Sequence, residues 1–232
     1  MTPDEVDLWL YDPRETTDTA PLEGLLSAGE RTRHARFQHP RDRHDFLISR
    51  SLLRTTLSRY EARPPEAWRF TTGPHGKPEI EGDAGNPRLR FNLSHTQGLI
   101  LVGVTRGHDI GVDVEDIRQE TDALSLAERF FSPEEHEQLA SLAPEDRSRH
   151  FFALWTLKEA YAKARGEGLS LPLDTCRFRF DGPEVVPDFI DDDATAWQLH
   201  RFSPTPHHVA AAAVRRPPEL PAVFTVRRAR TL

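Results

Sequence analysis

The chain has 232 residues and a net charge of −7, with 37% hydrophobic and 29% charged residues. This composition excludes a fully disordered or collagen-like chain, and the length allows one large domain or two small ones. Apolar runs are too short to span a bilayer, and the N-terminus lacks a basic, apolar signal sequence, so we expect a soluble cytoplasmic protein. The negative charge argues against a general nucleic-acid-binding protein.

The first half of the chain predicts short strands around two helices. Its elements, in chain order, are a strand over 5–11, a helix beginning at the Ser27 capping box, a helix over 41–59, a strand over 68–72, strands over 91–105 bent near Gly98, and a strand over 110–117.

The second half repeats this pattern. It predicts a helix start at Ser132, a helix over 147–165, strands over 177–180, 196–202 and 208–214, and a frayed basic tail at 227–230. Ser27 lies 19 positions before Phe46, and Ser132 lies 19 before Phe151. We therefore predict an α+β fold of two similar halves, 1–107 and 108–232, related as a pseudo-twofold repeat with the active site at their interface.

Two acidic residues stand two positions apart in the strand over 110–117. Residues i and i+2 of a strand share a face, so Asp113 and Glu115 project together while Val112 and Val114 face the core. Adjacent carboxylates repel unless a cation lies between them, and oxygen ligands favour Mg²⁺. The alternative is an amphipathic strand with a solvated acidic face.

The helix over 147–165 places three further residues on one face. Glu159 and Lys163 are four apart, and Trp155 lies one turn before Glu159. They form either an exposed ion pair beside a core tryptophan, or a third metal ligand beside a phosphate contact.

Lysine is rare in this chain. Only three of the 30 basic residues are lysine, namely Lys77, Lys158 and Lys163. Apart from chance, a lysine retained against this bias indicates a site where a compact ammonium matters and a guanidinium does not fit.

Other catalytic patterns are weak. Ser94 and His95 are adjacent and face opposite sides of a strand, which disfavours a serine hydrolase, and there is no nucleophile elbow. His95 is either a phosphate contact or a hydrogen-bonded structural histidine. The single cysteine, Cys176, excludes an internal disulfide and any multi-cysteine metal site.

Six segments taken together resemble one family, the 4′-phosphopantetheinyl transferases of the surfactin-synthetase-activating type. Glu115 lies 44 positions ahead of Glu159. The segments are His75–Pro78, Phe91–His95, Gly111–Glu115, Arg129–Ser132, Trp155–Lys163 and Gly168–Leu173.

The resemblance implies transfer of 4′-phosphopantetheine from coenzyme A to a serine of an apo acyl or peptidyl carrier protein, with release of adenosine 3′,5′-bisphosphate. It implies Mg²⁺, with Mn²⁺ as the alternative, held by Asp113, Glu115 and Glu159. The implied catalytic residues are Glu159, Lys158 and Lys163. The implied coenzyme A contacts are Arg43, Arg50, Lys77, Pro78, Ser94, His95, Lys158 and Lys163.

The proton of the serine passes either to Glu159 or to a metal-bound water. The carriers belong to peptide, polyketide or fatty-acid synthesis, and two fused halves favour a monomer. We expect the carrier to dock beside the second half. The residues expected there are Leu139, Leu142, Arg118, Arg147 and Arg149.

Two other functions remain open at this point. A metal-dependent phosphodiesterase or nuclease could use the same carboxylates and lysine, although the acidic balance and the lack of an aromatic–basic strip argue against it. A non-catalytic module that binds coenzyme A or a carrier would need no metal ligands.

Overall fold

The computed structural model describes residues 1–73, 75–82, 88–182 and 184–232, without the side chain of Leu169. The Leu169 side chain, part of the Gly168–Leu173 segment, therefore lies outside the described residues. The helices are α1 (Ala28–Arg36), α2 (Pro40–Leu57), α3 (Ala123–Phe130), α4 (Pro133–Ser141) and α5 (Pro144–Arg165). The strands are β1 (Glu5–Tyr11), β2 (Phe70–Thr72), β3 (Pro78–Ile80), β4 (Leu89–Thr96), β5 (Leu99–Arg106), β6 (Ile110–Asp116), β7 (Cys176–Asp181), β8 (Glu184–Phe189), β9 (Trp197–Thr205), β10 (His208–Arg215) and β11 (Val223–Arg228).

The N-terminal half is built on a four-stranded sheet in the order β11-β1-β5-β4. β4 and β5 form a hairpin whose turn contains Gly98, and its φ of +78° explains the glycine at the predicted bend. Helix α2 covers this sheet with an apolar face that includes Leu47, Leu52 and Leu53. The fully buried Trp68, just before β2, belongs to the same core, and Phe70 and Ile80 of the short hairpin β2–β3 pack against it.

The C-terminal half contains a three-stranded antiparallel sheet in the order β6-β10-β9. The long helix α5 packs across β6 and β10, and its aromatic residues Phe151 and Tyr161 are buried against the hairpin β7–β8 and the short helices α3 and α4. Helix α5 ends at Arg165 and is capped by Gly166, whose φ of +77° lets the chain reverse.

The two sheets meet where β4 and β5 pack against β6. A shared core lies between them, and its members include Leu8, Leu101, Val112 and Val114. The backbone N–H of Val112 also donates to Oδ1 of Asn92 at 2.9 Å, a buried hydrogen bond between the halves. These features confirm the predicted α+β fold of two halves.

The capping boxes also form as predicted. Ser27 and Glu30 exchange side-chain and backbone hydrogen bonds at the start of α1, and Ser132 and Glu135 do the same at the start of α4. In each half the box therefore fixes the start of the helix that precedes the long one.

The C-terminal segment differs from the prediction. The tail expected to fray, 227–230, begins inside β11, which pairs in parallel with β1, and Nε of Arg227 donates to Oδ1 of Asp7 at 2.7 Å. β11 thus leaves the predicted half 108–232 and completes the sheet of the first half. In the described part of the chain, no helix has the length and apolar character needed to cross a bilayer.

Candidate active site

An open cavity of about 440 Å³ lies where β4, β6 and α5 converge. β6 contributes Asp113 and Glu115, which share one face of the strand, while Val112 and Val114 are fully buried on the other face. Asp113 is only 4% exposed. The structure therefore brings together the two acidic side chains that the strand pattern predicts on one face.

Helix α5 supplies the opposite wall of this cavity. Trp155, Glu159 and Lys163 line it from three successive turns. The helix can approach β6 closely because Gly111 has no side chain: a Cβ there would lie 1.9 Å from the carbonyl oxygen of Ala160. This backbone contact sets the helix directly above the acidic strand.

The polar contacts in the cavity converge on Asp113. Its Oδ1 lies 2.6 Å from Nζ of Lys163 and accepts a hydrogen bond of 2.7 Å from Oγ of Ser94. Its Oδ2 is buried and has no hydrogen-bond partner among the described residues. Since a buried carboxylate oxygen is costly when unpaired, this oxygen would be stabilised by a cation or a hydrogen-bond donor in the cavity.

The other two carboxyl groups of the cavity, Glu115 and Glu159, have raised pKa values. Burial, with the charge of Asp113 as the next cause, raises the pKa of Glu115 to about 6, although hydrogen bonds from Gln119 and Thr96 oppose the shift. Burial also raises the pKa of Glu159, against the effect of Lys163. The cavity thus concentrates negative charge that a single ammonium only partly offsets.

The predicted metal ligands share this cavity without forming a closed ligand set. Within residues 1–73, 75–82, 88–182 and 184–232, no group of three or more His, Cys, Asp or Glu side chains is arranged to hold a metal ion. Asp113, Glu115 and Glu159 nevertheless present only oxygen donors, and Asp113 keeps one oxygen unpaired. This donor set fits a hard divalent cation.

A second cavity, of about 510 Å³, adjoins the first. It lies between α1, α2 and the end of β4. Its charged lining consists of three arginines and two aspartates: Arg33, Arg41, Arg50, Asp42 and Asp45. The two cavities share His95 and Leu93. A basic groove therefore leads into the carboxylate cavity past His95.

His95 lies at the junction of the two cavities. Burial lowers its pKa below the ordinary value of 6.5; the Asp45 carboxylate opposes this, and Lys163 and Arg50 add to it. At neutral pH the imidazole is therefore neutral, so it offers a hydrogen bond and not a positive charge to either cavity.

Lys158 does not reach either cavity, so the expected phosphate contact does not fit this geometry. Its Nζ is fully buried, 2.7 Å from Oε2 of Glu135, in the core of the second half. The reason is helical phase: neighbouring residues diverge by about 100°, so Lys158 and Glu159 cannot face the same side.

Three other predicted contacts also lie away from the cavity walls. Nζ of Lys77 donates to the carbonyl oxygen of Ala164 at 3.0 Å, and Lys77 and Pro78 line a separate narrow crevice. Arg43 donates to the carbonyl oxygen of Phe37 at 2.8 Å and does not line the basic cavity. Arg50, Ser94 and His95 do line the cavities.

Several cavity residues were not predicted from the sequence. Arg33 and Arg41 are the clearest. Arg33 belongs to the basic last turn of α1, a helix with no buried residue, and Arg41 is in the first turn of α2. Thr96, two positions after Ser94, shares its strand face and contacts Glu115 at 3.3 Å.

Comparisons with known proteins place both halves of the chain in one family. Residues 109–213 match the family model described as the 4′-phosphopantetheinyl transferase superfamily, and residues 13–106 match the one described as 4′-phosphopantetheinyl transferase, N-terminal. The chain is 37% identical over 212 residues to the 4′-phosphopantetheinyl transferase HetI of Nostoc sp. (strain PCC 7120). The matched region covers 91% of this chain and 88% of that protein. It is 30% identical over 210 residues to the 4′-phosphopantetheinyl transferase ffp of Bacillus subtilis, covering 90% and 91% of the two chains.

Proposed function

Because the chain belongs to the 4′-phosphopantetheinyl transferase superfamily, we propose that it transfers 4′-phosphopantetheine from coenzyme A to a serine of a carrier protein. The serine oxygen forms a bond to the phosphorus that carries the pantetheine. The bond from that phosphorus to the bridging oxygen of the pyrophosphate breaks, and adenosine 3′,5′-bisphosphate leaves.

The observation that carries this proposal is the continuity of the two cavities through His95. Coenzyme A is a nucleotide with a 3′-phosphate at one end and a pyrophosphate in its middle. A groove lined by Arg33, Arg41 and Arg50 supports binding of the anionic nucleotide. The adjoining cavity of Glu159 and Lys163 then lies beside the pyrophosphate.

We assign the metal site to Asp113, Glu115 and Glu159, with Mg²⁺ or Mn²⁺ as the ion. The unpaired Oδ2 of Asp113 and the raised pKa of Glu115 support this assignment, because both groups gain from a nearby cation. When bound, the ion supplies positive charge against the pyrophosphate and the leaving bisphosphate.

The protein's own residues divide the remaining work. Lys163 lies 2.6 Å from Asp113, so its ammonium is fixed where it can neutralise the transferred phosphate. Glu159, whose pKa burial raises, is suited to accept the proton of the serine. His95 donates a hydrogen bond to the nucleotide phosphates, and Ser94 keeps Asp113 oriented.

The predicted docking surface for the carrier needs one change. Leu139 is fully buried, so it belongs to the core and is not available to a partner. Arg118 is half exposed and is held by Asp116 at 2.6 Å, and Arg149 donates to the carbonyl oxygen of Pro206 at 2.7 Å. Both present positive charge beside the second half, which favours an acidic carrier.

Mass spectrometry of an apo carrier domain tests the proposal. The carrier is incubated with the protein, coenzyme A and Mg²⁺, with EDTA in a parallel sample. We expect a gain of one phosphopantetheine group on the carrier serine, and its loss with EDTA. No gain on peptidyl, polyketide and fatty-acid carriers would contradict the transferase function, and metal-dependent cleavage of DNA or RNA in the same samples would favour a nuclease.

A further inference from the structure

Lys158 lies in a fully enclosed polar cluster on the side of α5 that faces away from the cavity. Its Nζ lies 2.7 Å from Oε2 of Glu135, 2.8 Å from the carbonyl oxygen of Leu173 and 2.6 Å from that of Cys176. An ammonium has three N–H donors, so these three oxygens use all of them. Lys158 therefore has no donor left for a substrate.

Glu135 extends this cluster to two further segments. Its Oε2 accepts the backbone N–H of Ser132 at 3.0 Å, and its Oε1 accepts the backbone N–H of Phe178 at 3.0 Å. The pair thus joins the start of α4, the start of β7 and the middle of α5. A change in the rotation of α5 would break contacts with all of them.

The N-terminal half contains the same arrangement. Glu30 of its capping box pairs with the buried Arg54 of α2, which donates to the carbonyl oxygen of Trp68 at 2.6 Å. Arg54 also lies over the ring of Phe70, as Lys158 lies over Phe178. The ion pair is therefore a repeated part of the framework, and in the second half it stands next to Glu159.

Two contacts on different faces fix the rotation of α5. Ala160 and Ala164 meet Gly111 on the face toward β6, and Lys158 is held on a face that lies about 120° from Ala164 by helical phase. Between those two restraints Glu159 points into the cavity, with Lys163 one turn later.

We propose that Lys158 is a positioning residue, whose ion pair with Glu135 sets the rotation of α5 and thereby places Glu159 and Lys163 for transfer. The inference rests on the proposed function, because it concerns the same cavity. The positioning role also explains why position 158 is a lysine and not an arginine. Three acceptors surround one nitrogen in a closed space, which suits a compact ammonium, whereas a planar guanidinium with five donors does not fit.

The test measures kcat and KM for coenzyme A in K158M, E135Q and K158R, at a temperature where each is folded. R54M is the matched control, because it removes the equivalent buried cation from the other half. We expect kcat to fall about 10- to 100-fold in all three α5-cluster variants, because displacements near 1 Å are that costly. KM should stay within about threefold of wild type, and R54M should keep the wild-type kcat at saturating coenzyme A.

Three results would overturn the positioning role. A rise in KM with unchanged kcat in K158M would make Lys158 a substrate contact. An equal fall of kcat in R54M would make the effect a general loss of stability, and full kcat in K158R would show that only the charge matters. If K158M does not fold, the comparison of E135Q with R54M decides. If the wild-type protein modifies no carrier, the proposed function itself is wrong. If the wild type is active and the variants are equally active, only the positioning role is wrong.

Discussion

Gly111 and Ala160 are in direct backbone contact: a Cβ on Gly111 would lie 1.9 Å from the carbonyl oxygen of Ala160 and 2.4 Å from the backbone nitrogen of Ala164. Both neighbours are main-chain atoms of a 22-residue helix, so neither can move alone. This contact lowers α5 onto β6 far enough for Lys163 to reach Asp113 at 2.6 Å.

Gly111→Ala should therefore push the helix off the strand. We expect a loss of about 3 kcal/mol in the free energy of unfolding, the upper end for overpacking, because the clash is with backbone. Transfer activity should fall with it, since the carboxylates and Lys163 separate. Urea denaturation and carrier modification measure the two effects.

Gly29→Ala is the control for this substitution. Gly29 is also a glycine within a regular element, α1, and no described atom lies within 4 Å of a Cβ built there. Its stability should be unchanged or rise by about 0.5 kcal/mol. Equal stability of the two variants would show that the backbone contact at Gly111 does not limit the distance between α5 and β6.

Glu115→Gln should stabilise the metal-free protein while abolishing transfer. Burial and then Asp113 raise the pKa of Glu115 from 4.5 to about 6, so the native state binds this proton more tightly than the unfolded state. Wild-type stability therefore falls as pH rises between those values, and the cost persists above them. At pH 8 we expect the variant to gain about 1 kcal/mol, or about 3 °C in Tm.

The pH dependence of that gain is the diagnostic measurement. Thermal unfolding from pH 4 to 8 should show the difference between Glu115→Gln and wild type shrinking toward zero at the acid end. Glu137→Gln, on the exposed side of α4, serves as the control. A lower Tm for Glu115→Gln at pH 8 would contradict the charge crowding described for the cavity.

Mg²⁺ should stabilise the wild type more than Glu115→Gln. If Asp113, Glu115 and Glu159 hold the ion, millimolar Mg²⁺ raises the Tm of the wild type, because a ligand of the native state stabilises it. Glu115→Gln should respond much less. An equal rise in both proteins would place the ion elsewhere.

Arg50→Ala should weaken coenzyme A binding through the 3′-phosphate. The side chain of Arg50 lines the basic cavity and is 20% exposed, so a charge-assisted contact there is worth about a tenfold change in Kd. Dephospho-coenzyme A, which lacks the 3′-phosphate, should bind both proteins alike. Calorimetric titration with the two ligands distinguishes them, and Arg59→Ala, exposed at the far end of the same helix region, should change neither affinity.

The single cysteine should report on opening of the second half. Cys176 is 1% exposed, and burial raises the pKa of its thiol to about 11, so at pH 8 only about one thiol in a thousand is ionised. We expect no labelling by a thiol reagent in the native protein and complete labelling in denaturant. Rapid native labelling would mean that β7 detaches readily from α5.

Local patterns predicted which strand and helix faces form the site better than they predicted which residues belong to it. The Asp113–Glu115 face follows from strand alternation, and the shared face of Glu159 and Lys163 follows from helical spacing. The same spacing already separates Lys158 from Glu159 by about 100°, so the motif's two neighbouring residues could not both serve one cavity. The sequence resemblance grouped them, and the helical geometry divides them.

Other features depend on contacts that no local pattern contains. Lys77 ends on the carbonyl oxygen of Ala164, 87 positions later in the chain. The basic tail reads as a frayed segment because its strand partner, β1, is at the other end of the sequence. Such long-range pairings are decided by packing and not by the residues around each position.

The parallel pairing of β11 with β1 also governs the order of assembly. Glu5 is opposite Val223, so the first strand acquires its outer neighbour only after 218 further residues have been synthesised. Closing so long a loop costs entropy before the contact repays it, and slows folding. During translation the outer edge of β1 therefore stays unpaired until residues 223–228 have been synthesised, and changes in that segment act on the sheet that begins at residue 5.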